Sequence, residues 1–231
     1  MGVYLPTGTM VRTGAERATL VRRTYALVFA SILVTIGGAA FGLSQPALLQ
    51  AVAAHPFISF LCMLAPLWFA LGARRTFPTN IGLVFAFTFA AGVVISPLLF
   101  VMERTQPGAI GQAAFLTASS FAVLTIYAFV SRRDFSAWGS FFIVGLWVLI
   151  AAMVLNFFLH SAAVATWVSG VAVLVFSGLL VFDTWRLRNV YGPDDYVLAA
   201  VNIYLDMLNI FLALLQLLSI FGGGGGRRDS W

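Results

Sequence analysis

The chain contains no lysine: all 13 basic residues among its 231 are arginine. A retinal Schiff base is therefore excluded, and with it a rhodopsin-like reading of a helical membrane chain. Charge of either sign is scarce, at 9% of residues, where a soluble domain carries about 25%. The single cysteine, Cys62, permits no internal disulfide and says little about redox compartment. There is no HExxH, no cysteine cluster, no Walker loop and no GxGxxG ahead of a helix. Both histidines, His55 and His160, fall between apolar runs, which argues against a rhomboid-type serine protease. The polar, Arg-bearing stretch 1–24 lacks the apolar core of a cleavable signal peptide, so the first span is expected to stay in the mature protein.

What is abundant is apolar. Hydrophobic residues make up 61% of the chain, and the mean hydropathy is +0.98. Runs near the bilayer-spanning length of about 20 residues fall at 25–43, 56–73, 81–102, 110–130, 138–158, 162–185 and 196–221. The composition predicts an all-α integral membrane protein with seven transmembrane helices. One membrane domain, 25–221, lies between a basic N-terminal arm, 1–24, and a flexible Gly/Arg tail, 222–231. The 22 Phe and 6 Trp suit lipid contact and interfacial anchoring. Pro56 suits a first helical position, whereas Pro66 and Pro97 fall inside spans and are expected to kink them. Gly37, Gly38, Gly82, Gly92, Gly170 and Gly178 suit close helix packing.

The net charge of +5 would suggest nucleic acid in a soluble protein. Here the arginines flank the spans, so topology explains them and no nucleic-acid partner is expected. Arg12, Arg17, Arg22 and Arg23 precede the first span, and Arg74 and Arg75 follow the second. Arg132 and Arg133 follow the fourth, and Arg186 and Arg188 the sixth. Threaded through seven spans, all of these share one side, which the positive-inside rule makes cytoplasmic, with the N-terminus. The tail then emerges outside; a re-entrant last segment with the tail inside is the alternative. The basic pairs closing spans two, four and six suggest three repeated hairpins plus one extra helix.

Two acids interrupt this pattern: Asp183 in LLVFDTWRL and Asp206 in VNIYLDMLNIF. An intramembrane carboxylate is costly unless protonated, paired or facing water, so it points to function. In the last span Asn202, Asp206, Asn209 and Gln216 share one helical face. A helix with one polar stripe turns it from lipid toward a bundle interior or a water-filled path. Asn202 and Gln216 also fit simple interhelical hydrogen bonding. Asp183 alone reads equally as a boundary carboxylate paired with Arg186 or Arg188. Two carboxylates in contact cannot both ionise cheaply, so such a pair shares a proton, binding a cation when free of it. A nearby arginine, Arg74 or Arg75, can serve as a competing lock. The spacing raises a difficulty. Asp206 lies about 15 Å along its helix and Asp183 about 4.5 Å from the end of its own, an axial offset of about 10 Å. Pairing then requires the last helix to start outside the lipid, near 193–195, or to be displaced.

At GARRTF, FLTASSFAVLTIYAFVSRRDFS, FDTWRL and YLDMLNIFLALLQLL the chain resembles the transmembrane Bax inhibitor motif family, in its bacterial branch, over nearly its whole length. The resemblance implies two three-helix layers around a central C-terminal helix. It implies a pH-sensitive calcium leak or a regulator of membrane calcium, in the bacterial inner (plasma) membrane. Asp183 and Asp206 would be the pH sensor and metal-binding pair, and Arg74 or Arg75 the pairing arginine. The chain departs from relatives in having no acid in the second span, Trp185 after FDT, and an Arg-bearing glycine tail.

The leading expectation is a cation leak, for Ca²⁺, gated by protonation of the Asp183/Asp206 pair, with Asn202, Asn209 and Gln216 lining the pathway. Hard cations prefer oxygen ligands, which this stripe offers. No cofactor is expected beyond Ca²⁺ as the transported or bound ion, and the partners are the lipid bilayer, Ca²⁺ and H⁺. An intramembrane aspartyl protease is the enzymatic alternative, but Asp206 lacks the GxGD setting and no PAL tripeptide follows. A non-conducting regulator bound to another membrane protein is the third reading.

Overall fold

The computed structural model describes residues 14–72 and 79–222. Eight helices and no strands occur among them: α1 (Gly14–Ser44), α2 (Pro46–Ala54), α3 (Pro56–Gly72), α4 (Thr79–Thr105), α5 (Ala109–Val130), α6 (Trp138–Leu159), α7 (Ala162–Asn189) and α8 (Tyr196–Gly222). Six of these, α1 and α4 to α8, are long and apolar enough to cross a membrane. The outer surface carries Phe29, Phe57, Trp68, Phe115, Phe141, Trp147, Phe158 and Trp167, all exposed. A surface of that kind is soluble only in lipid. The chain is a multi-pass membrane protein.

Most helices begin and end within a few residues of the expected runs. Two ends differ, for local reasons. α1 starts at Gly14, so the second half of the basic arm is helix, with Glu16 at the end where a helix favours negative charge. α7 continues past the end of its apolar run through Arg186 and Arg188 to Asn189, because charge lowers hydropathy without breaking a helix. α2 was not expected. Two prolines delimit it: each favours an extended residue before it and a helix start on itself. Gln45 is accordingly extended ahead of Pro46, and His55 leaves the helical region ahead of Pro56. α2 and α3 meet there at a bend of 103°. α3 and α4 run on through Pro66 and Pro97.

α8 packs against α1, α4, α5 and α7, and α7 is its most extensive partner. The main core gathers around them, with Phe87, Leu180, Leu187, Ile203 and Ile210 fully buried. Thr35 of α1 fixes three helices at one point. Its hydroxyl lies 2.7 Å from the Tyr204 hydroxyl of α8 and 3.0 Å from the Thr88 carbonyl of α4. The ends of the helices are also tied. Arg23 of α1 lies over the Tyr196 ring at the start of α8, 5.9 Å from its centroid. Tyr25 of α1 meets Phe129 near the end of α5, with ring centroids 6.1 Å apart. At the opposite end, Gln106 of the α4–α5 corner donates to the Ser219 carbonyl of α8 at 2.6 Å.

The glycines divide. A methyl at Gly38 would strike the Phe89 carbonyl, one at Gly92 the backbone of α1 from Thr35 to Ala39, and one at Gly178 the Phe142 ring. Gly37, Gly82 and Gly170 face open space, so close packing there is not the reason for glycine. Gly92→Val is expected to destabilise the protein by about 1–3 kcal/mol through overpacking of α1 against α4. Gly82→Ala is expected to be neutral or slightly stabilising. Thermal unfolding in detergent, read by loss of monodisperse protein, checks both.

Candidate functional site

The antiparallel pair α7–α8 carries both acids inward. Asp183 is 6% exposed and Asp206 is 5% exposed. The two carboxyl groups are neighbours across the α7–α8 interface, and Asn202 lies near Asp183. The helices reach this register because α7 is longer than its apolar run. With its end at Asn189, Asp183 sits about 9 Å from the helix terminus, which cuts the axial offset from Asp206 to about 6 Å. The rest is taken up by the turn 190–195. There the Gly192 N–H donates to Asp195 Oδ2 at 2.7 Å, and the Asp195 N–H donates to the Gly192 carbonyl at 3.0 Å.

The two acids are not equivalent. Asp183 Oδ1 accepts a hydrogen bond from Arg186 Nη1 at 3.1 Å, one helical turn away. Asp206 Oδ2 is buried with no hydrogen-bond partner. A buried carboxylate oxygen left without a donor is expensive.

Arg188, two residues on, faces elsewhere. Its guanidinium donates to the Phe129 carbonyl at 2.6 Å and to the Ser131 carbonyl at 3.1 Å. Those carbonyls lie at the C-terminal end of α5, which a cation satisfies. Arg188 is thus a cap for α5, and of the two candidate salt-bridge partners only Arg186 meets Asp183.

Sequence reasoning missed Tyr191. It lies in the turn yet is 4% exposed, and its hydroxyl accepts from Asn202 Nδ2 at 3.0 Å. Burial, with the Asp183 charge next, pushes the Tyr191 phenol up to about 12, so it stays neutral across the physiological range. Asn209, on the same face of α8, donates to the Leu205 carbonyl one turn back at 2.8 Å. Gln216, nearer the far end, is exposed and is not brought to the acids. Arg74 and Arg75 lie outside the described residues. Among the described residues no three His, Cys, Asp or Glu side chains cluster as a metal site. A cation at the acid pair would find two carboxylates, one of them already bridged by Arg186.

A bundle of apolar helices around a polar-faced α8, with a buried acid pair at the α7–α8 interface, defines a helical integral membrane protein with an internal ionisable site. The sequence model described as "Inhibitor of apoptosis-promoting Bax1" matches residues 17–223. The chain belongs to this Bax inhibitor-1 family. It is 30% identical over 209 residues to an uncharacterised protein of Helicobacter pylori, covering 90% of this chain and 89% of that one. It is 32% identical over 207 residues to the Golgi anti-apoptotic protein of vaccinia virus, covering 88% and 86%. It is 31% identical over 210 residues to Bax inhibitor 1 of Schizosaccharomyces pombe, covering 88% and 77%.

Arg188→Ala is expected to lower stability by about 1–3 kcal/mol, the range for buried carbonyls losing a charged donor. The loss should appear as faster hydrogen exchange at the end of α5, with exchange in α4 unchanged.

Proposed function

We propose that this protein is a calcium leak of the bacterial inner membrane, gated by protonation of the Asp183/Asp206 pair. The observation that carries this reading is the pair itself: two buried, neighbouring acids on the central helix pair, one bridged by Arg186 and the other with a partnerless oxygen. Protonated, the pair is neutral enough to stay buried. Deprotonated, it leaves a negative charge that a cation or water must meet. Two carboxylates, with one oxygen already bridged by Arg186, offer fewer oxygens than the 6–8 that Ca²⁺ takes. An ion there keeps most of its water, which favours passage over storage. Asn202, Asn209 and Gln216 continue the polar face of α8 as the path, with Arg74 and Arg75 as further cations for the lock.

The reading includes seven spans, with the bent α2–α3 pair as one of them and six spans in two layers around α8. Parity supports this. Arg23 at the start of α1 touches Tyr196, just after the end of α7, so those two ends share a side. Five crossings from α1 through α7 would put them on opposite sides; a sixth, by α2–α3, brings them together. Ten flanking arginines, from Arg12 to Arg188, then lie cytoplasmically with the N-terminus, and Arg104 at the end of α4 lies on the far side. α8 runs unbroken to Gly222 and ends beside Gln106, which favours the tail on the far side over a re-entrant segment. The Arg186 bridge weighs against the enzymatic alternative, because an aspartyl dyad must be free to exchange its shared proton with substrate and water.

Purified protein in liposomes is expected to pass Ca²⁺ at a rate that depends on pH. Asp206→Asn and Asp183→Asn should each change that rate by about tenfold or more, since a unit charge at about 4 Å in a half-dry site exceeds the 1.4 kcal/mol that a factor of ten requires. Each should also flatten the pH response. If both variants keep the flux and its pH profile, the acid pair is not the gate.

A further inference from the structure

The guanidinium that bridges Asp183 is itself held in place. Its Cζ lies 4.6 Å from the centroid of the Tyr191 ring and 5.5 Å from that of Phe182, two aromatic faces that attract a cation. The Tyr191 ring is fixed at both ends. Its backbone N–H donates to the Arg186 carbonyl at 3.0 Å, and its hydroxyl accepts from Asn202 Nδ2 at 3.0 Å. Asn202 is in turn a neighbour of Asp183 across the interface. Asp183, Arg186, Tyr191 and Asn202 thus form a closed loop through α7, the turn and α8.

The spacing of Asp183 and Arg186 does not guarantee their bridge. The Arg186 side chain is 31% exposed, and a half-exposed arginine readily exchanges a carboxylate for water. A flat, buried ring under the guanidinium removes most of that freedom. We propose that Tyr191 and Asn202 are positioning residues of the acid pair, holding Arg186 over Asp183 and so setting the pH at which the pair takes up a proton. This rests on the pair being the titrating element, and does not require that the protein conduct calcium.

Among the described residues, the other charged and titratable groups near the loop have places of their own. Asp206 faces the pair from α8, and Tyr25 comes from α1 toward Thr184 and Thr125. Asp195 lies near Tyr191 in the turn, Arg23 is over Tyr196, and Arg188 is committed to α5. α5 and α6 contain no charged residue, and α4 has Glu103 and Arg104 in its last turn, at the opposite end.

The test reads protonation directly. In nanodiscs the infrared band of protonated carboxyl groups is followed against pH, with Asp183→Asn and Asp206→Asn assigning it to the pair. Arg186→Gln is expected to move the midpoint up by about one pH unit, because a nearby cation favours the carboxylate. Tyr191→Leu should move it in the same direction. Tyr191→Phe, which keeps the ring face, should move it less. The Tyr191→Leu/Arg186→Gln double variant should sit where Arg186→Gln alone does, since one residue acts through the other. Asn202→Leu reaches the same loop from α8 if Tyr191→Leu fails to fold. A foldable Tyr191→Leu or Asn202→Leu with an unshifted midpoint, equal shifts for Leu and Phe at 191, or additive shifts in the double variant would each overturn the proposal. Absent calcium flux with these midpoints as expected would count against the leak alone.

Discussion

A carboxylate in a hydrocarbon layer must find a partner, and here two of them find each other. That requirement sets the geometry of the α7–α8 pair. The acids can meet only if the helices are antiparallel, joined by a short turn, and in register to within about a helical turn. The turn 190–195 meets this with a Gly192–Asp195 hydrogen-bond exchange and a buried tyrosine. α8, so fixed against α7, then offers its remaining faces to α1, α4 and α5. The Thr35–Tyr204 bond, two residues before Asp206, anchors α8 to α1 at nearly the same depth.

Hydropathy read along the chain recovers the helices well, because a lipid-facing helix must be apolar for its full crossing. It fails where helix and membrane part company. α7 goes on for a turn beyond its apolar run, and that turn changes the expected offset of the acids from prohibitive to workable. α2 is apolar like its neighbours, so only the prolines at 46 and 56 separate it from them. The six glycines look alike in sequence, yet only Gly38, Gly92 and Gly178 of them meet a neighbour where a side chain would stand. Which of them does so depends on helix rotation, which composition does not encode. The polar stripe of α8 was legible from its periodicity down to Asp206 and Asn202, but Gln216 lies on the exposed part of the helix. Tyr191 gave no signal, since a tyrosine in a loop is ordinary until a fold buries it.

Arg186 and Arg188 show how one sequence signal can hold two structural roles. As a basic pair at a span end they read as a topological marker. Two residues on a helix differ by about 200° in direction, so the two guanidiniums face opposite sides. One reaches back a turn to Asp183, and the other crosses to the carbonyl end of α5. The pair that reads as one signal along the chain thus serves twice in the folded protein, once for an acid and once for a helix terminus.

The asymmetry between the acids follows from their places on the two helices. Asp183 is close enough to the end of α7 for an arginine on its own helix to reach it while remaining partly exposed. Asp206 is deeper along α8, where no such residue exists on its helix, and its free oxygen stays unpaired. On the proposed reading, loss of the shared proton therefore creates its uncompensated charge at the deeper acid, on the helix that touches four others. A charge at that point can be met by a cation, by water entering between helices, or by movement of α8 relative to Arg186. All three open the α7–α8 interface to something other than hydrocarbon, so on that reading a proton held there gates the interface as one held at an exposed acid could not.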